Sequence, residues 1–528
     1  MTVIKGGTVV DGSGRAAFQG DVVVEGDRIV DVARSAPPGA GHGSPFGGAS
    51  RVVDAAGRLV TPGFIDAHSH SDAYLVLEPD APSKVSQGVT TEINGQCGGS
   101  IAPRYGEARL SSDWAALLGE RLTWRSLSEY RDVLEAAKPA INTVQFVGHN
   151  TLRSSVVGYA GRAATPDELA RMSRLLEESL DEGGWGLTTG LIYQPGKYST
   201  PEEVVALAKT AAARGGYYAT HMRSEGDRLL EAVDEVLDLV RATGIRAEVS
   251  HLKTSGRGNW SKIDALLEKI GAAVDGGLLL GSDRYPYCAA GTDLDVVFPD
   301  WAGEGGCPAE MERLSDPRTR GRIVEEIDAS GCDWSTVMVG GTWHPDNRRY
   351  SGKTVAEITE QESMAGSHGE LVCRILERDG CKTGAFFFGM SEGNLEKIYR
   401  CPWIVPGSDA SLRAPWGPLG DDHPHPRAYA TMPEFHRRLR ELGFSLEETV
   451  ARMTSVPARR FGIRGRGVIE KGAFADIVVW RESEFKSRST YDAPHAFSSG
   501  VDFVMVNGKT PYAGGKFTGE RGGRFLER

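Results

Sequence analysis

The alternation of apolar and polar positions divides the chain into three parts. From residue 1 to about 60, apolar clusters at Val3, Val9-Val10, Val22-Val23-Val24, Ile29-Val30 and Val52-Val53 are separated by turns at Gly6-Gly7, Asp11-Gly12 and Glu25-Gly26-Asp27. That pattern predicts a set of short β-strands. A Gly/Pro-rich stretch over 36–50 interrupts them and predicts a mobile loop in which His42 is solvated. The same strand character returns near the end, at Gly467-Val468-Ile469, Ile477-Val478-Val479-Trp480 and Val501-Asp502-Phe503-Val504-Met505-Val506. Neither end buries a core alone, so residues 1–60 and 465–528 are expected to pair into one small composite β-sandwich domain.

Between 61 and 464 the pattern changes. Short apolar strands at 63–70, 89–97, 142–149, 185–191, 217–223, 246–253, 278–285 and 403–409 are separated by helical stretches such as 165–182, 201–214, 226–243 and 260–272. Asp167-Glu168 and Glu202-Glu203 mark two helix starts. Strands alternating with helices predict an α/β fold, a parallel (β/α)8 TIM barrel. The stretch 290–400 is too long for one loop. It is expected to hold an insertion around 290–385, with Trp301, Trp334 and Trp343, before the barrel resumes at Phe386-Phe387-Phe388-Gly389-Met390.

Catalytic groups of a barrel sit where its strands end. The first predicted strand runs through Phe64-Ile65-Asp66 into His68-Ser69-His70. Residues two apart on a strand face the same way, so these imidazoles converge as two metal ligands would. Further on, strand ends carry Cys97, His221, His251 with Lys253, and Asp409 after Gly407-Ser408. Each has an ordinary structural reading when taken alone. His221 and His251 read more often as hydrogen-bonded core histidines, Cys97 as a small buried hydrophobe and Asp409 as a turn or cap. Falling at the same end of successive strands, they form a candidate site. His149, after the third strand, fits either an oxyanion stabiliser or a structural hydrogen bond.

Composition narrows the class. Apolar residues at 40% and charged residues at 25% describe an ordinary globular protein. A net charge of −11 argues against nucleic acid or an anionic membrane as the main partner and leaves a small-molecule substrate. The seven cysteines show no CxxC pair, so no disulfide framework or zinc ribbon is expected. With no apolar leader at Met1–Val10 and no run long enough for a bilayer, the expected location is cytoplasmic. Nothing in the sequence sets the oligomeric state.

Pro62-Gly63-Phe64-Ile65-Asp66-Ala67-His68-Ser69-His70 resembles the entry motif of the amidohydrolase superfamily. Gly95-Gln96-Cys97-Gly98, Leu191-Ile192-Tyr193-Gln194-Pro195-Gly196, His221-Met222-Arg223, Ser250-His251-Leu252-Lys253, Asp283-Arg284-Tyr285-Pro286-Tyr287 and Gly407-Ser408-Asp409 narrow the resemblance to the N-acyl-D-amino-acid deacylase (D-aminoacylase) family. Dihydroorotase and hydantoinase relatives usually carry a carboxylated lysine on strand four. The matching stretch, Gly183–Gly190, has no lysine.

The resemblance implies a zinc-dependent hydrolase that removes the N-acyl group from N-acyl-D-amino acids, the alternative being a cyclic-amide or N-carbamoyl hydrolase with the same metal site. It implies one tightly bound Zn2+ on Cys97, His221 and His251, and a second, weaker site on His68, His70 and Asp409. Asp409 is the implied general base. Lys253, Tyr193 and Tyr285 match positions that bind the substrate carboxylate, and Met390 matches a position near the acyl or side-chain pocket. Where relatives carry Ser-Thr, this chain has Gly291-Thr292.

Overall fold

The computed structural model describes residues 1–34, 50–110, 112–364 and 367–528. His42 and its Gly/Pro-rich stretch, up to residue 49, lie outside the described residues.

Eight parallel strands close into a barrel. In order they are Phe64–Asp66, Val89–Asn94, Asn142–Gln145 continued by Val147–Gly148, Gly186–Gly190, Tyr217–His221, Arg246–Val249, Leu280–Arg284 and Ile404–Pro406. The ring shuts where Ala67 N donates to Pro406 O at 3.0 Å and Asp409 N donates to His68 O at 2.8 Å. Helices Pro166–Asp181, Pro201–Ala213, Leu229–Thr243 and Ile263–Asp275 lie in the connections. Their starts are written in the sequence: Thr165 and Glu168 form a capping box ahead of Pro166, and Thr200 caps the helix that opens with Pro201.

Both chain ends contribute to a second sheet, nine-stranded among the described residues. Ile477–Trp480 pairs antiparallel with Leu59–Pro62, joining the late strands to the early ones. At a register break at Gly6-Gly7, the parallel partner of Thr2–Val9 changes from Arg51–Asp54 to Leu59–Pro62.

The expectation that the barrel resumes at Phe386 is corrected. Gly384–Phe387 lies between antiparallel partners, Ala290–Asp293 and Val337–Val339, so both its edges are taken. This small sheet belongs to the insertion and packs on a core of its own that includes Leu294, Trp334, Ile358 and Leu376. The eighth barrel position falls to Ile404–Pro406.

The seam between the first and eighth barrel strands is polar and buried. Lys84 Nζ donates to Asp66 Oδ2 at 2.7 Å, Ser408 Oγ at 2.9 Å and Ala410 O at 3.0 Å, and stands 3.6 Å from Glu92 Oε2. Asp66 Oδ1 also takes the backbone N–H of Ser408 at 2.8 Å. Among the described residues, no helix is long and apolar enough to cross a membrane. Lys84→Met should leave Asp66 and Glu92 buried without a counter-charge and cost about 3–5 kcal/mol of stability. A urea-unfolding comparison with wild type checks this, and an unchanged midpoint would contradict it.

Candidate metal centre and active site

Two groups of donors meet at the carboxyl end of the barrel strands: His68, His70, Cys97 and Asp409, and Cys97, His221 and His251. Within each group the donor atoms lie within 4.8 Å of one another. Cys97 belongs to both. Its Sγ stands 3.3 Å from His251 Nε2 and 3.4 Å from His68 Nε2. Asp409 Oδ1 faces His70 Nε2 at 3.1 Å and His68 Nε2 at 3.3 Å.

The backbone is bent to make these donors converge. Cys97 (φ 52°), His251 (φ 37°) and Asp409 (φ 50°) all adopt the left-handed conformation, which costs a residue with a side chain about 1–3 kcal/mol. Asp283 holds two of the parts in place. Its Oδ2 faces His68 Nδ1 at 3.1 Å, and its Oδ1 accepts the His251 backbone N–H at 3.0 Å. Gly407 makes room for this arrangement, since a Cβ there would lie 2.5 Å from Asp283 Oδ1 and 2.6 Å from His68 Cβ.

Charge follows from the crowding. Burial opposes ionisation of the Cys97 thiol, but His68 and His251 outweigh it and hold the pKa well below the ordinary thiol range. Burial likewise opposes charge on Asp409, while Arg427 and His251 hold its carboxyl well below the usual range. His251 is raised to about 10 and His70 to about 9, in each case against burial and through anionic neighbours such as Cys97 and Asp409. His221 is instead lowered, chiefly by burial, and neither of its buried ring nitrogens has a hydrogen-bond partner among the described residues. A thiolate, two imidazoles and orphaned ring nitrogens suit a soft divalent cation, and three such ligands leave an open coordination position of the kind found in catalytic zinc sites.

The centre opens into a cavity of about 610 Å³. Tyr193, Lys253 and Tyr285 line it, as do Gly291, Trp343 and Phe386 of the insertion. The Tyr285 hydroxyl is buried with no hydrogen-bond partner among the described residues. Lys253 Nζ is paired with Glu225 and lies 2.8 Å from His251 Nδ1.

Two expected site residues stand elsewhere. His149 does not line the cavity; its Nε2 is 2.8 Å from Glu203, which also binds Arg153, so it serves a buried structural ion pair. Met390 is outside the lining as well, its sulfur accepting from Arg284 Nη2 at 3.0 Å.

Three neighbours of the centre have no role that the sequence assigns. Asp283 lies inside the Asp283–Tyr287 motif, where its strand position was its only signal. Glu225 follows His221 by four residues, a spacing that draws no notice outside a helix. Arg427 donates to Asp409 Oδ2 at 2.8 Å and to Gly291 O at 3.1 Å. Gly291 leaves that approach uncrowded, since a Cβ there would stand 3.3 Å from Arg427 Nη2.

A barrel that gathers such a set of candidate metal donors at its strand ends has the architecture of a metal-dependent hydrolase. The Amidohydrolase family profile matches residues 51–512, and the chain belongs to that family. It is 35% identical over 531 residues to an N-acyl-D-glutamate deacylase of Alcaligenes xylosoxydans xylosoxydans, covering 100% of this chain and 96% of the relative. A D-aminoacylase of the same organism is 33% identical, with 100% and 97% covered. The structure of an N-acyl-D-glutamate deacylase from Bordetella bronchiseptica, complexed with zinc and a phosphonate mimic of the reaction's tetrahedral intermediate, superposes with a TM-score of 0.82 at 31% identity, with 100% of this chain and 99% of that chain covered.

Cys97→Ala removes the donor shared by both groups. Elemental analysis after dialysis should find zinc reduced to a trace relative to wild type, and full retention would contradict the arrangement.

Proposed function

We propose that this protein is a zinc-dependent amide hydrolase that converts N-acyl-D-amino acids to a carboxylate and the free D-amino acid. One observation carries the reading: Cys97, His221 and His251 stand together opposite Asp409 at the mouth of one cavity, in a chain similar over its full length to deacylases of this kind. Cys97, His221 and His251 would hold the tight zinc, and His68, His70 and Asp409 a second, weaker one. Bound zinc supplies a Lewis acid that polarises the amide carbonyl and lowers the pKa of water.

The chain's own groups do the rest. Asp409, ionised at neutral pH and fixed by Arg427, takes the proton of the attacking water and delivers it to the leaving nitrogen. Tyr285 offers an unengaged hydroxyl to the substrate carboxylate. Tyr193 and Lys253 complete that end of the cavity, and the insertion sheet adds Gly291 and Phe386 to its wall. The Gly186–Gly190 strand offers no lysine to bridge two metals, which favours the deacylase over the cyclic-amide reading.

The same reading takes residues 1–60 with 465–528 as one small β-sandwich domain. It is supported by an apolar cluster that mixes Ile4, Val22 and Val60 with Ile477 and Met505. Residues 61–464 form the barrel, interrupted by an insertion that runs from about 290 through the strand Gly384–Phe387.

Paired D and L N-acetyl amino acids test the substrate class: turnover should be confined to the D series, and turnover of hydantoins without N-acetyl-D-amino acids would overturn the reading. Asp409→Asn should retain the tight zinc and lose about 10²–10⁴-fold in kcat. A loss smaller than tenfold would remove Asp409 from the proton-transfer role.

A further inference from the structure

Glu225 stands where the metal ligands meet the substrate end of the cavity. Its carboxylate is 10% exposed and lines the cavity wall. Oε1 faces His251 Nδ1 at 3.0 Å and also takes Lys253 Nζ, while Oε2 lies 3.4 Å from His221 Nε2. His251 Nδ1 and Lys253 Nζ are themselves only 2.8 Å apart.

Counting protons shows what this carboxylate does. A lysine ammonium has donors and no acceptor. His251 turns Nε2 toward Cys97, and with a metal held on that nitrogen its ring proton would sit on Nδ1. In that state two donors would confront one another across 2.8 Å, and the Glu225 oxygen that both face would make the contact favourable. A neutral amide in its place accepts less strongly and brings a donor of its own.

We propose that Glu225 is a positioning residue that fixes His251 in its Nδ1–H tautomer and holds Lys253 against the cavity wall. One carboxylate thereby couples the metal ligands to the cation that receives the substrate's carboxylate. The substrate half of this inference rests on the deacylase reading; the metal half does not. Losing Glu225 disturbs both halves. Losing Lys253 leaves the His251–Glu225 bond intact and disturbs only one.

That asymmetry is the test. Glu225→Gln and Lys253→Met are compared with wild type for zinc affinity, by competition with a chromophoric chelator, and for KM and kcat at saturating zinc with an N-acetyl-D-amino acid. Circular dichroism checks that each variant is folded. Glu225→Gln should bind zinc about 10–100-fold more weakly and raise KM by about tenfold or more. Lys253→Met should raise KM similarly and keep zinc affinity close to wild type.

Wild-type zinc affinity in Glu225→Gln would overturn the inference, as would an unchanged KM. So would zinc loss in Lys253→Met as large as in Glu225→Gln. If Glu225→Gln does not fold, the Lys253→Met zinc affinity decides alone, since a marked loss there contradicts the arrangement. Should wild type hydrolyse no N-acyl-D-amino acid, the deacylase reading fails, while the zinc affinities still decide the metal half.

Discussion

A thiol on the second barrel strand has to reach imidazoles carried by the first, fifth and sixth strands, and much of the surrounding structure serves that meeting. Left-handed backbone at Cys97, His251 and Asp409 is unfavourable, and it persists because the frame around it is over-determined. Asp283 holds His68 and the His251 backbone, and Asp66 with Lys84 fixes the seam from which His68 and Asp409 both project. Concentrating histidines around one sulfur also stabilises the thiolate, the form that ligates a metal.

The chemistry then depends on what surrounds the centre. Arg427 binds Asp409 and the Gly291 carbonyl together, which links the proposed general base to the first residues of the insertion. The insertion contributes its own strands to the cavity wall, so the element that lines the cavity is joined through Arg427 to the proposed general base. Glu225 makes the corresponding link on the opposite side, between His221 and His251 and the cation at Lys253.

Much of the barrel was legible because its strands are short, apolar and regularly spaced. The stretch 217–223 is observed as Tyr217–His221, and 165–182 as Pro166–Asp181, the latter bounded by a capping box visible in the sequence. The first strand is shorter than its apolar run suggests: it ends at Asp66, and His68 and His70 follow a bend at Ala67-His68, with Ser69 bridged to Ala410. Period two predicted that these rings would converge, and their centroids are 5.2 Å apart.

What stayed hidden was carried by loop paths and long-range pairing. Nothing local places Arg427, at the start of a helix, against Asp409. The Glu225 carboxylate reaches His251 only because the loops after two adjacent strands fold toward each other. Phe386–Met390 has the apolar character of a barrel strand, yet its partners are insertion strands that no periodicity identifies. His149 was drawn away from the centre by Glu203, a helix residue more than fifty positions later.

The central claim is that one sulfur and the imidazoles of His221 and His251 ligate a single zinc ion. Zinc K-edge X-ray absorption on the protein loaded with one equivalent of metal tests it directly. Ligation by Cys97, His221 and His251 gives one sulfur scatterer at about 2.3 Å with nitrogen or oxygen scatterers at about 2.0–2.1 Å. A first shell of nitrogen and oxygen alone would contradict it.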